Sequence, residues 1–205
     1  MNQPRYQRRK EERPQEITAA ALKAFSENGY AATRVDDVAK RAGVSKGLLY
    51  LYFKTKEELF KSVIRSFVIP RIDALTSVIE ESDMSSEAFL RGPFLDFAKK
   101  MPGSPISVVV RLMIAEGPKH PDLVRFYWDN VVSRGFATIN ELLQRGVKNK
   151  EFRKSAISEQ PELFIMPVVF SMIFRLLFKE QSIDTDKIIE TQIDLLITHL
   201  KGEES

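Results

Sequence analysis

The chain has 205 residues, 43% hydrophobic and 29% charged, with a net charge of +3 and no cysteine. That is a soluble globular composition, long enough to bury a core, and it excludes a disulfide framework and a thiolate metal site. His120 and His199 stand far apart with no ligand spacing around them, so no metal and no cofactor is expected.

The charge is unevenly spread. Residues 1–56 carry +6 and residues 57–205 carry −3, a basic front on a slightly acidic body that points to a polyanionic partner. Residues 1–13 hold Arg5, Arg8, Arg9, Lys10 and Arg13 without an apolar period, which predicts a flexible basic tail able to lie along a DNA backbone. No secretory signal is read in this polar stretch, and a cytoplasmic protein is expected.

Pro14 suits the first turn of a helix. Ile17, Ala20, Ala21, Ala24 and Phe25 then follow the i, i+3, i+4, i+7, i+8 spacing of one apolar face, and Asn28-Gly29 supplies the stop. A second apolar face comes from Val35, Val38, Ala39 and Ala42. Thr33 with Asp36 is read as its capping box, and Gly43 as its left-handed end. Only three residues later Ser45 can cap a further helix, Lys46 to Phe53. Leu49 and Phe53, at i and i+4, anchor that helix inward. Lys46, Gly47, Leu48, Tyr50, Leu51 and Tyr52 are left facing out. Two short helices joined by a glycine turn make a helix-turn-helix, and apolar and phenolic side chains on its open face suit base edges and phosphates in a major groove.

The run Thr33, Asp37, Val38, Ala39, Ala42-Gly43-Val44-Ser45, Gly47, Leu49-Tyr50, Tyr52-Phe53, Lys56, Glu57 and Leu59 resembles the DNA-binding head of TetR-type transcriptional regulators. The resemblance implies a dimeric, ligand-responsive regulator, usually a repressor, with a variable second domain. Thr33, Ser45, Tyr52, Lys54 and Lys56 are the candidates for phosphates, Lys56 also by its match to the family's phosphate-contacting lysine. Lys46, Leu48, Tyr50 and Leu51 are the candidates for base edges, and Gly47 for close backbone approach. Leu51 departs from the tyrosine often found there in the family, which removes a polar contact at that position. Leu48 suits a thymine methyl. A two-fold dimer must set two such helices about 34–36 Å apart, so a palindromic operator is expected.

Thr55 with Glu58 starts the next helix. Leu59, Phe60, Val63, Ile64 and Phe67 carry it to Pro70, which should kink it, and Ile72, Leu75, Val78 and Ile79 resume beyond. Further helices are read over Ser86 to Met101, Ile106 to Glu116, and from an Asp122 cap to Gly146, with Pro102 to Pro105 and Gly117-Pro118 as breaks. Leu163 to Phe178 is apolar almost all round yet too short and broken for a membrane span, so burial against a second copy is expected. The last helix, from near Asp184, carries Ile188, Ile189, Ile193, Leu196 and Leu200. Phe174, Phe178, Ile189, Ile193, Leu196 and Leu200 are the candidate homodimer interface. Phe89, Phe94, Phe97, Met101, Met113, Phe126, Trp128, Phe164, Met166 and Phe170, with Arg111, Tyr127 or Asn130 as polar handle, are the candidate lining for an apolar or amphipathic small-molecule effector.

The expectation is an all-α protein of about nine helices, with a tail over 1–13, a helix-turn-helix domain over 14–60 and a helical effector-binding and dimerisation domain over 61–205. The alternative is a DNA-binding dimer whose body binds a protein partner, which a solid core would favour. No paired-carboxylate, nucleophile-base or metal spacing supports an enzyme.

Overall fold

The computed structural model describes residues 5–178 and 180–202, with side chains from residue 13 onward. Among these there is no strand and there are nine helical stretches: α1 (Arg5–Ala32), α2 (Val35–Arg41), α3 (Lys46–Tyr52), α4 (Lys56–Val63, Ile64–Val68, Ile69–Glu81), α5 (Ser86–Phe89, Leu90–Phe94, Leu95–Lys100), α6 (Pro105–Glu116), α7 (Pro121–Tyr127, Trp128–Val132, Ser133–Lys148), α8 (Glu162–Leu177) and α9 (Thr185–Lys201). By contacts the chain forms two compact units. One joins residues 1–70 with 108–127, and the other joins 71–107 with 128–205. This interleaved division differs from a single cut near residue 60, because residues 108–127 pack with the front of the chain.

In the first unit Ile17, Ala21, Ala24 and Phe25 of α1 are buried as their spacing requires. Phe25 meets Phe60 of α4 edge-on at 5.3 Å between ring centres, and Tyr30 meets Phe60 at 5.4 Å. The buried Thr18 and Ser62 hydroxyls lie 3.0 Å apart, and each donates to a carbonyl of its own helix, that of Pro14 and that of Leu59, at 2.7 Å. Gly29 breaks α1 at φ 77, a conformation that favours glycine. Arg111 of α6 donates to the Ser26 carbonyl at 2.5 Å, closing an acceptor at that frayed end.

In the second unit Phe94 of α5 packs on Phe164 of α8, and Ile139, Leu142 and Leu143 of α7 and Ile189, Ile193 and Leu200 of α9 are buried. Arg145 donates to the carbonyls of Ile79 and Met84, satisfying the end of α4 and the loop after it. The backbone N–H of Arg153 does the same for Leu200 at the end of α9.

Two local expectations, at Pro14 and at Asp122, are corrected. The helix starts at Arg5, so Pro14 lies inside α1, because the Arg, Gln, Lys and Glu before it are strong helix formers. Residues 1–4 of the expected tail lie outside the described residues. Pro70 follows a π turn inside α4, over Ile64–Val68, in which the Ile69 N–H reaches back to the Ile64 carbonyl and the register shifts just before the missing donor. Pro93 is likewise housed in a π turn, Leu90–Phe94. Finally, α7 opens at Pro121 with the His120 carbonyl accepting from Leu123 and Val124, so Asp122 sits in the first turn and is not the cap.

Gly146 is required by packing. A Cβ there would stand 2.2 Å from Phe152 Cδ2, far inside contact distance, and Phe152 is itself buried. Gly146→Ala is expected to destabilise the protein by about 1–3 kcal/mol, read as a fall of several degrees in Tm. An unchanged melting curve would show that the Phe152 ring has room to move.

Candidate nucleic-acid interface

Helices α2 and α3 are joined by a closed turn. The N–H of Gly43 (φ 65) returns to Lys40 and that of Val44 to Ala39, the pairing of a Schellman end. Ser45 then caps α3 through the Leu48 N–H at 3.1 Å, as read from sequence. Leu49 is fully buried and seats α3. Lys46, Gly47 and Leu51 are exposed, Leu51 by 65%, while Leu48, Tyr50 and Tyr52 are half-buried. The helix therefore shows outward the residues expected to meet a groove.

Two side chains do something other than expected. Thr33 is buried, and its hydroxyl donates to the carbonyls of Ala24 (3.1 Å) and Gly29 (2.6 Å). It caps the end of α1, not the start of α2, whose N-cap is Arg34 without a side-chain bond. Its single proton is committed, so the phosphate role read for this hydroxyl is corrected. Lys56 turns inward as well. Its ammonium donates to the Ala31 carbonyl at 2.9 Å and lies 4.6 Å from the centre of the Tyr30 ring, which His120 abuts at 4.8 Å. Burial pulls this ammonium below the ordinary lysine range, against the nearby Glu116 carboxylate, which raises it. Lys54 stays exposed, and its N–H donates to Glu58 Oε2 at 2.6 Å while Thr55 caps Glu58, so the start of α4 is doubly closed.

Sequence reading gave Asp36 a capping role and missed its pairing with Lys46. Its carboxylate holds Lys46 through both oxygens, at 2.8 and 2.9 Å, and raises that ammonium above the usual lysine range. Both residues sit at helix starts, and nothing in their spacing of ten announces the pair. Arg41 is similarly held by both oxygens of Glu27.

The expected effector residues divide between the two units. Arg111, Met113, Phe126 and Tyr127 belong to the first unit, the others to the second. Arg111 is occupied by Ser26, and Phe126 carries Lys61 and Arg65 over its ring. Phe89, Phe94 and Phe164 are solid core; Met166, Phe170 and Trp128 face outward. Within the second unit an open groove of about 530 Å³ runs along Ala74 and Val78 of α4, Phe97 of α5 and Met101 just beyond α5, with Arg71, Asp96 and Lys100 also lining it. Phe97 and Met101 are thus the two expected residues that line this space. The interface set is corrected too. Ile189, Ile193, Leu196 and Leu200 are core of their own chain, because α9 turns that stripe onto the rest of its unit. The apolar surface left open is Met166 (64% exposed), Phe170 (53%), Leu177 and Phe178 at the end of α8, with Phe174 half-buried among them, and Ile188 and Leu195 of α9.

Residues 17–63, the three-helix head and the start of α4, match the model of the bacterial regulatory proteins of the tetR family. The DNA-binding head of the chain is of the TetR family. Over most of its length the chain is similar to the fatty acid metabolism regulator protein of Bacillus subtilis (strain 168), at 23% identity over 197 residues, 95% of this chain and all of that protein. Its fold is shared with a TetR-family regulator from Mesorhizobium loti MAFF303099 (TM-score 0.73, 23% identity, 92% and 95% of the two chains). It is shared also with FadR of Bacillus subtilis in complex with stearoyl-CoA (TM-score 0.69, 20% identity, 90% and 97%). These relatives are transcriptional regulators and not enzymes. The match of residues 17–63 makes the front of this chain a DNA-binding head of the kind found in bacterial transcriptional regulators, and no helix among its described residues is long and apolar enough to cross a membrane.

The roles of Leu49 and Leu51 separate cleanly. Leu49→Ala is expected to cost about 2–5 kcal/mol of stability. Leu51→Ala should leave stability within about 0.5 kcal/mol while weakening DNA binding. Equal melting temperatures for the two variants would contradict this seating of α3.

Proposed function

We propose that this regulator is a repressor that binds a palindromic operator as a homodimer and leaves it when a long-chain acyl-CoA occupies the body, with residues 14–60 as the reading head and 61–205 as the effector-binding and dimerisation domain. The observation that carries the DNA half is α3, pinned by Leu49 with Lys46, Gly47 and Leu51 outward. Ser45, Leu48, Tyr50, Tyr52 and Lys54 complete the proposed contact set, with Lys56 recruited only if it leaves Ala31.

The dimer is supported by the exposed stripe of Met166, Phe170 and Leu177 on α8 beside Leu195 on α9, apolar surface that a second copy would cover. The effector half is supported by the largely apolar groove along α4 and α5 in the second unit, whose charged lining residues are Arg71, Lys100 and Asp96, two cations against one anion. An acyl chain suits its apolar lining and an anionic head suits its cations. Similarity over 95% of the chain to a fatty acid metabolism regulator, and the stearoyl-CoA named for a protein of the same fold, support this ligand class.

The experiment is operator binding by anisotropy, using fragments selected from genomic DNA, with and without stearoyl-CoA. Saturating ligand should weaken operator binding by about 5- to 150-fold, and operator should weaken ligand binding by the same factor. Unchanged operator affinity would reject the acyl-CoA reading and leave the DNA reading standing. Phe170→Glu with Leu195→Glu should sediment as a monomer where the parent is a dimer; a dimer surviving both charges would place the interface elsewhere.

A further inference from the structure

Asp36 lies at the front of the head but is an anion on a surface meant for a polyanion. It stands in the first turn of α2, where a carboxylate favours the positive helix end, yet its side chain is spent on Lys46, the first residue of α3. Both carboxylate oxygens hold the ammonium, at 2.8 and 2.9 Å, and both partners are about half exposed. The Lys46 ammonium also lies 6.0 Å from the centre of the Tyr50 ring one turn on, so it is drawn along the outer face of α3 and not left to wander. The first residues of a recognition helix are the ones that meet base edges. A lysine there has two available targets. On its flexible stem it can take any nearby phosphate, which adds affinity without sequence information, or it can be held against the O6 and N7 acceptors of a guanine.

We infer that Asp36 is a specificity-determining residue: it fixes Lys46 across the front of α3, withholds it from the phosphates and leaves it for a base edge, a guanine by its acceptor pattern. The carboxylate itself repels the backbone, so affinity for arbitrary DNA is given up in exchange for discrimination. This rests on DNA binding by the head and not on any effector or repressor role.

The test compares a fragment selected by the parent protein with a random duplex of equal length, each titrated across salt. In Asp36→Asn, random-duplex binding should tighten, the slope of log affinity against log salt should steepen by about one phosphate's worth, roughly 0.9, and the preference for the selected fragment should drop by about tenfold. Adding Lys46→Ala to that variant should cancel the steepening. Lys46→Ala alone, an exposed change that does not endanger folding, should lower affinity for the selected fragment and leave the random-duplex slope unaltered.

Three results would overturn the inference. One is an Asp36→Asn protein with unchanged slope and preference. Another is a steepening that survives Lys46→Ala, since Asp36 would then act on the DNA alone. The third is a Lys46→Ala protein whose slope falls by about 0.9 on both duplexes, which would make Lys46 a phosphate ligand. A parent protein that bound neither duplex would instead remove the DNA reading itself.

Discussion

The burial of one side chain, Leu49, decides what the head can do. It has no accessible surface, so α3 cannot roll about its own axis without lifting a leucine from the core, a change worth several kcal/mol. With that rotation fixed, Lys46, Gly47 and Leu51 face out as a consequence of 3.6-residue periodicity. The turn before α3 contributes in the same sense: Gly43 accepts the left-handed conformation, and Ser45 closes the helix start. A seven-residue helix is too short to stand alone in water, and these supports replace the length it lacks.

Around this seat, cations of the head are held by partners inside the protein. Lys46 is on Asp36, Arg41 on Glu27, Lys61 on Glu57, and Lys56 on the Ala31 carbonyl and the Tyr30 ring. A basic front therefore does not amount to a surface of loose positive charge. Surface pairs of this kind contribute little to stability, so their effect lies mainly in where the charges point. Lys56 is the extreme case. To meet a phosphate it must give up a charge-assisted hydrogen bond and an aromatic contact, together on the order of 2–4 kcal/mol. Tyr30, His120 and Glu116, all in the first unit, set that cost.

Much of the fold was legible because it follows from local rules. The stripe of Ile17 to Phe25, the stop at Gly29, the caps at Ser45, Thr55 and Asp184, and the breaks at Pro102 and Gly117 all stand where spacing and turn chemistry put them. What escaped depends on contacts between residues distant in sequence. Thr33 and Asp36 have a capping-box spacing, but the carbonyls of Ala24 and Gly29 compete for the threonine and Lys46 for the aspartate. Ile189, Ile193, Leu196 and Leu200 form a genuine apolar stripe, yet periodicity cannot tell whether a stripe meets its own chain or another; the more sparsely apolar side of α9, with Leu195, is the one left open. Aromatic content likewise named candidates for a ligand site without showing that Phe89, Phe94 and Phe164 pack solidly while the groove forms beside Phe97 and Met101.

The central claim is that α3, fixed by Leu49 and present twice in a dimer, enters two successive major grooves on one side of a duplex. Hydroxyl-radical footprinting on a selected fragment tests this most directly. The account predicts two protected half-sites on the same face, with centres about 10–10.5 base pairs or a multiple of that apart. A single protected half-site, or no protection even in dilute salt, would contradict it.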